Sequence, residues 1–208
     1  MVESYLSVYG ECVTETVIER SRFICKARRV EGEDDARAFI EEVRKEHSTA
    51  THNCYAYVAS EDGNIMKFSD DGEPQGTAGM PMLEVLRNRK IMMTAVVVTR
   101  YFGGIKLGAG GLVRAYSGAV ADCLNKAEIV SNELSVELKI TLSYELYSVF
   151  LKFTSGKKLK IVSSDFSGNV AITCVMPRIL ESDFTAGLND YLLGKVEVER
   201  VGEYFFRY

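Results

Sequence analysis

Residues 100–114 read Arg-Tyr-Phe-Gly-Gly-Ile-Lys-Leu-Gly-Ala-Gly-Gly-Leu-Val-Arg, a glycine-rich segment with a different kind of sequence on each side. A largely apolar run, 92–99, precedes it, and apolar residues at helical spacing follow it over 112–127. This order predicts a buried strand, a glycine-rich loop and a helix. Such a loop can hold an anion, because backbone N–H groups and the positive end of the helix dipole converge where no Cβ obstructs approach.

The glycine-rich loop matches neither of the well-known phosphate motifs. Lys106 lacks the spacing of a P-loop lysine and no hydroxyl residue follows it, and Val113 stands where a dinucleotide fingerprint needs its third small residue. Two interpretations stay open, an anion site and a tight strand-to-helix connection, and we favour the first. The candidate anion-binding residues are Arg100, Tyr101, Phe102, Gly103, Gly104, Lys106, Gly108, Gly110, Gly111 and Arg114.

An acidic turn and a histidine lie upstream of the glycine-rich loop. Asp70, Asp71 and Glu73 could hold Mg²⁺ together with a substrate phosphate, but Asp-Asp-Gly is also strong turn chemistry, and we favour the turn interpretation. His52 and Cys54 lie two residues apart on a predicted strand, so their side chains share a face. We interpret Cys54 as a small core residue, whereas His52 remains open as an acid–base group or ligand contact.

Residues 20–30 contain five basic side chains and no acidic one. This predicted strand is interpreted either as a solvated outer face, which we favour, or as a strip that faces phosphate. In the second case Arg20 and Arg22 join the candidate nucleic-acid contacts.

The composition is that of an ordinary globular protein. The 208 residues are 47% apolar and carry a net charge of −4, so any binding of nucleic acid has to come from a local patch. The five cysteines form no C-x-x-C pair, the first ten residues lack the pattern of a signal peptide, and no apolar run could span a membrane. We therefore expect a cytoplasmic protein with no metal, no cofactor and no membrane association.

The chain is predicted to be an α+β protein of two domains, 1–130 and 134–208, with a boundary near 129–133. The second part has the element order β-α-β-β-α-β, which is the ferredoxin-like arrangement.

Four segments together resemble the IMPACT/YigZ family: residues 20–24, 50–56, 70–81 and 98–116. The resemblance implies an N-terminal domain like the second domain of ribosomal protein S5, and a ferredoxin-like C-terminal domain similar to a domain of the translocation factor EF-G. Both likenesses point to RNA and translation. Eukaryotic members bind an activator of a translation-control kinase and carry an additional N-terminal recruitment domain; we expect no such domain here, so this partner is not expected to carry over.

These observations favour a non-enzymatic protein that binds RNA or a phosphorylated ligand and acts near translation, with translation-related proteins as further partners. Arginine and lysine side chains would pair with phosphates, and Tyr101 and Phe102 would stack on a base. Two alternatives remain: a metal-assisted enzyme acting on a phosphorylated small molecule or nucleotide, and a protein-binding regulatory module.

Overall fold

The computed structural model describes residues 2–208, which form an α+β structure with two antiparallel sheets and five α-helices. Contacts divide the chain into two compact units, essentially 4–131 and 132–208. No helix within the described residues is long and apolar enough to cross a membrane.

The first unit is built on one five-stranded antiparallel sheet. Its strands and helices are β1 (Ser4–Val8), β2 (Glu11–Ile18), β3 (Ser21–Arg29), α1 (Glu33–Glu46), β4 (His52–Val58), β5 (Met66–Ser69), α2 (Gly79–Asn88), β6 (Thr94–Tyr101) and α3 (Gly108–Lys126). The sheet order is β2-β3-β6-β4-β5, so β6 is the central strand. The short strand β1 has no counterpart among the sequence predictions.

The sequence of strand β6 is apolar without alternation because both faces of the strand are buried. Successive side chains point to opposite faces, and each face of this strand has its own core. Val96 and Val98 pack into the core that includes α2 and α3, whereas Ala95 and Val97 pack into the one that includes α1. The prediction of a buried central strand is confirmed, because seven of its eight residues are buried.

The glycine-rich segment is divided differently from the prediction. Strand β6 continues to Tyr101, and α3 begins at Gly108, whereas the apolar spacing predicted a helix only from Leu112. The connecting loop is therefore only 102–107. Apolar spacing missed the first turn of α3 because Gly108, Ala109, Gly110 and Gly111 carry no large apolar side chain.

The second unit has the predicted element order. It consists of β7 (Ile129–Leu142), α4 (Tyr144–Thr154), β8 (Lys160–Asp165), β9 (Val170–Pro177), α5 (Glu181–Tyr191) and β10 (Glu197–Arg207), and a short 3₁₀ turn precedes α5. Within it the strands pair antiparallel in the order β10-β7-β9-β8. Alternate residues of β7 and β9 form one core with Phe150 of α4 and Leu188 of α5.

Candidate functional site

A cavity of about 430 Å³ lies in the first unit, beside the start of β4, the end of β6 and the start of α3. Strands β4 and β6 are antiparallel, and their register places His52 directly opposite Arg100. Both side chains line the cavity, together with Glu73 of the acidic turn, Phe102 and Lys106 of the loop, and the first residues of α3. The cavity therefore joins residues from three of the four segments on which the family resemblance was based.

The floor of the cavity contains a buried ion pair. The side chains of Glu73 and Arg100 are only 4% and 6% exposed, and Arg100 Nη1 donates to Glu73 Oε1 over 2.7 Å. The hydroxyl of Tyr116 donates to the same oxygen, also at 2.7 Å. Burial, together with nearby Cys54 and Glu73, raises the pKa of Tyr116 well above its ordinary value, so this hydroxyl stays a donor. A buried carboxylate needs such partners, and two strong donors hold Oε1 in place.

Two polar atoms of this ion pair have no hydrogen-bond partner among the described residues. Glu73 Oε2 accepts no hydrogen bond from any residue in 2–208. Arg100 Nη2 donates to Ser21 Oγ at 3.3 Å, but Arg100 Nε is buried and lacks a hydrogen-bond partner among the described residues. Unpaired polar atoms such as Arg100 Nε are uncommon in buried positions, and a functional role is one explanation for them.

His52 lies beside Glu73 in a defined tautomer. Its Nδ1 is 2.7 Å from the carbonyl oxygen of Asp71. Because a carbonyl oxygen can only accept, Nδ1 carries a proton and Nε2 is left for other contacts. His52 Nε2 lies 3.9 Å from Glu73 Oε2, too far for a hydrogen bond. The His52 side chain is 20% exposed, so a ligand in the cavity can reach it.

The other carboxylates of the acidic turn have structural partners. Asp70 accepts three backbone N–H groups of residues 76–79 at 2.8 to 3.0 Å and so caps the start of α2. Asp71 accepts the backbone N–H of Asn53 at 2.6 Å and a hydrogen bond from Arg44 at 3.2 Å. Within residues 2–208, no three His, Cys, Asp or Glu side chains are grouped so that they could hold a metal ion. The favoured turn interpretation fits Asp70 and Asp71, whereas Glu73 alone of the three faces the cavity.

Cys54 has the environment of a core residue. It is fully buried, and its Sγ contacts the carbonyl oxygen of Asp70 at 3.0 Å. Burial raises the pKa of the Cys54 thiol well above its ordinary value. A thiol in this state is a poor nucleophile, which argues against a catalytic Cys–His pair with His52.

The first two glycines of the loop serve its packing. A Cβ on Gly103 would lie 2.0 Å from the carbonyl carbon of Arg20, and the backbone N–H of Gly103 donates to Ser21 Oγ at 3.2 Å. Gly104 has a φ of +87°, which favours glycine. The loop that connects β6 to α3 is therefore tightly packed where it leaves β6.

The remaining glycines belong to the first turn of α3. Gly108 begins the helix, and Gly110 and Gly111 follow it. The residue before the helix, Leu107, makes no side-chain capping hydrogen bond, and the first turn holds no acidic residue. Gly108 and Ala109 line the cavity and are exposed, so the free N–H groups of the turn are accessible to a ligand.

Three of the predicted cations are unpaired, and two are not. Arg20, Lys106 and Arg114 are exposed and make no ion pair within the described part of the chain. Arg22 forms two hydrogen bonds to Glu15, at 2.7 and 2.9 Å, and Arg100 pairs with Glu73. Carboxylates already pair with Arg22 and Arg100, and the assignment of these two arginines as phosphate contacts stays a prediction.

The basic strip on β3 is neutralised by acidic side chains. Lys26 pairs with Glu46, and Arg28 pairs with Glu42 and Glu11. This pattern agrees with the solvated outer face that the sequence favoured.

The two aromatic residues of the loop differ in their surroundings. The hydroxyl of Tyr101 lies 3.0 Å from His47 Nδ1, and the guanidinium of Arg22 lies 5.6 Å from its ring. Phe102 is 47% exposed and lines the cavity, and its ring lies 5.4 Å from the guanidinium of Arg100. Phe102 is thus the ring available to a ligand.

Comparison with known proteins identifies the class. Residues 19–124 match the family model for the Impact N-terminal domain. The chain is 40% identical over 199 residues to IMPACT family member YvyE of Bacillus subtilis, which covers 96% of this chain and 92% of that relative. It is 36% identical over 211 residues to IMPACT family member YigZ of Escherichia coli, covering 97% and 100% of the two chains. The protein belongs to the IMPACT family.

A solved structure supports the fold over nearly the whole chain. It is described as the crystal structure of a hypothetical protein, and it is 34% identical in sequence. The match covers 97% of this chain and 99% of the chain in that structure, with a TM-score of 0.64. Eukaryotic relatives match a smaller part: a Protein IMPACT homolog of Schizosaccharomyces pombe is 31% identical over 99 residues, which is 46% of this chain.

Proposed function

We propose that the cavity at the start of α3 binds a phosphate group of single-stranded RNA, and that the protein acts by binding rather than by catalysis. The observation that carries this proposal is the combination of an uncapped, exposed helix start with an unpaired lysine in one cavity. Free N–H groups and the helix dipole favour an anion at that point, and Lys106 adds a full positive charge.

The neighbouring groups suit a nucleotide better than a free inorganic anion. Phe102 offers an exposed ring on which a base can stack, a contact that proteins use widely for single strands. Lys106 also borders a second cavity of about 410 Å³, which Arg114 lines as well. A strand that leaves the first cavity past Lys106 would meet Arg114 with its next phosphate.

The link to translation rests on family resemblance. The N-terminal unit would correspond to the second domain of ribosomal protein S5, and the C-terminal unit to a ferredoxin-like domain of EF-G. We further propose the cytoplasm as the location, because all five cysteines are free thiols and such thiols persist in a reducing compartment.

The test compares RNA binding by the wild type and by a Lys106→Ala/Arg114→Ala variant. Fluorescence anisotropy with a labelled oligouridylate should show affinity lower by about tenfold or more in the variant, since two charge-assisted contacts are lost. The slope of log affinity against log salt should also become shallower by about 1.4, because each phosphate contact on a single strand contributes about 0.7.

The matched control is Lys45→Ala/Lys126→Ala, which removes the same charge from the exposed end of α1 and the far end of α3. This control should bind RNA as the wild type does. If the wild type binds RNA no better at low salt than the Lys106→Ala/Arg114→Ala variant, the proposed function is wrong.

A further inference from the structure

Two hydrogen-bond acceptors lie side by side in the cavity, and neither receives a hydrogen bond from residues 2–208. Glu73 Oε2 belongs to a side chain that is only 4% exposed, and no described residue donates to it. Tyr116 and Arg100 both donate to the other oxygen, Oε1, and so fix the orientation of the carboxylate. Burying a carboxylate side chain costs free energy unless its oxygens are hydrogen-bonded, and residues 2–208 supply no donor to Oε2.

His52 places the second acceptor beside the first. Since Nδ1 donates to the Asp71 carbonyl, the neutral ring turns the lone pair of Nε2 away from that contact. Nε2 and Glu73 Oε2 are 3.9 Å apart, so one hydroxyl group located between them can reach both. Because a hydroxyl carries one proton, it donates to one of the two atoms and lies within reach of the other.

The same cavity thus offers a phosphate position and a hydroxyl position. Lys106 and the start of α3 attract the anion, and Glu73 with His52 attracts a hydroxyl donor. In RNA each ribose carries a 2′-hydroxyl on the carbon next to the one that bears the 3′-phosphate. DNA has the phosphate but not the hydroxyl.

We infer that His52 and Glu73 recognise the ribose 2′-hydroxyl next to the bound phosphate, and that this pair makes the cavity selective for RNA over DNA. This inference rests on the proposed function and specifies how the ligand is chosen. A 2′-deoxy ligand would cover both acceptors and leave them without a donor. Selection of this kind is how proteins distinguish RNA from DNA at a given site.

The experiment measures binding of the wild-type protein to three labelled oligonucleotides of the same length and base: oligouridylate, its 2′-deoxy analogue and its 2′-fluoro analogue. The 2′-fluoro strand keeps an RNA-like sugar but cannot donate a hydrogen bond. We expect both analogues to bind about 10- to 100-fold more weakly than RNA, the range for a hydrogen bond to a charged group.

Two variants assign the effect to residues. His52→Ala should reduce the ratio between the affinities for RNA and for the 2′-deoxy strand, and some discrimination should persist because Glu73 remains as an acceptor. Lys106→Ala should weaken both strands alike and leave their ratio unchanged. Unfolding transitions of both variants, followed by circular dichroism, verify that they are folded.

The possible results distinguish a failure of the 2′-hydroxyl recognition from a failure of the proposed RNA binding. If RNA and the 2′-deoxy strand bind equally well and Lys106→Ala weakens both, the phosphate site stands and the hydroxyl recognition is wrong. If the 2′-fluoro strand binds as tightly as RNA, the selection is for sugar shape and the inference also fails. If neither strand binds, the proposed function is wrong and the inference falls with it.

Discussion

Replacing Gly103 with alanine would test the close packing of the loop against the start of β3. The new Cβ would lie 2.0 Å from the carbonyl carbon of Arg20, 2.1 Å from its oxygen and 2.5 Å from the backbone nitrogen of Ser21. All three atoms belong to backbone, so no rotation of a side chain relieves the overlap. Overpacking that shifts side chains and backbone typically costs about 1–3 kcal/mol, and the overlap with three backbone atoms places this substitution at the upper end, about 3 kcal/mol.

Urea unfolding followed by circular dichroism measures this loss of free energy. A loss of about 3 kcal/mol is large beside the 5–15 kcal/mol typical of a folded protein, so the transition midpoint should fall clearly. The shifted loop also carries Lys106, and the Gly103→Ala variant should therefore bind RNA more weakly at temperatures where it is still folded.

Gly118→Ala is the matched control. Gly118 lies within α3, and a Cβ there would meet nothing within 4 Å. Alanine is the better helix former by about 1 kcal/mol, so this variant should be slightly more stable than the wild type. An unfolding free energy for Gly103→Ala within about 0.5 kcal/mol of the wild type, the range of ordinary surface changes, would refute the close approach to Arg20.

Two further predictions concern hydrogen bonds to carboxylates. Tyr116→Phe removes the buried hydroxyl that donates to Glu73, and since Arg100 still donates to the same oxygen, the expected loss of unfolding free energy is about 1 kcal/mol; an unchanged urea midpoint would contradict the assignment. The hydrogen bond from Arg28 lowers the pKa of Glu42 below its ordinary value of 4.5, so the unfolded chain takes up this proton first as the pH falls. The stability that Glu42 contributes is therefore complete above pH 4.5 and is lost as the pH drops through the folded pKa. Glu42→Gln should make the acid limb of a plot of urea midpoint against pH less steep, and an identical limb would count against the pair.

The sequence predicts regular elements well wherever one periodicity dominates. Helices α1 (Glu33–Glu46) and α4 (Tyr144–Thr154) are of this kind, because their apolar residues recur at helical spacing. The start of α3 was missed because glycine and alanine leave no apolar signal in its first turn. Strand β1 (Ser4–Val8) was missed because its burial does not follow polarity: Ser7 is buried, whereas Leu6 is exposed.

The site is harder to predict because its contacts join residues that are far apart in the sequence. Glu73 and Tyr116 are separated by 43 residues, and Ser21 and Arg100 by 79. No local pattern shows that Glu15 neutralises Arg22, or that the side chain of Glu73 lines the cavity while Asp70 and Asp71 do not. Composition and spacing supply the candidate residues, and only the fold decides which of them are already paired.

The buried ion pair explains why the acidic turn and the glycine-rich segment occur together in the sequence. Glu73 lies in the first; of its two donors, Arg100 begins the second and Tyr116 follows two residues after its end. One carboxylate thus holds the end of β6 and the body of α3 in fixed positions, with the loop and the helix start between them. Since Glu73 neutralises Arg100, the attraction for an anion has to come from Lys106 and the N–H groups of α3. Glu73 therefore acts on the anion site by positioning its parts, and its free oxygen is left to select which ligand enters.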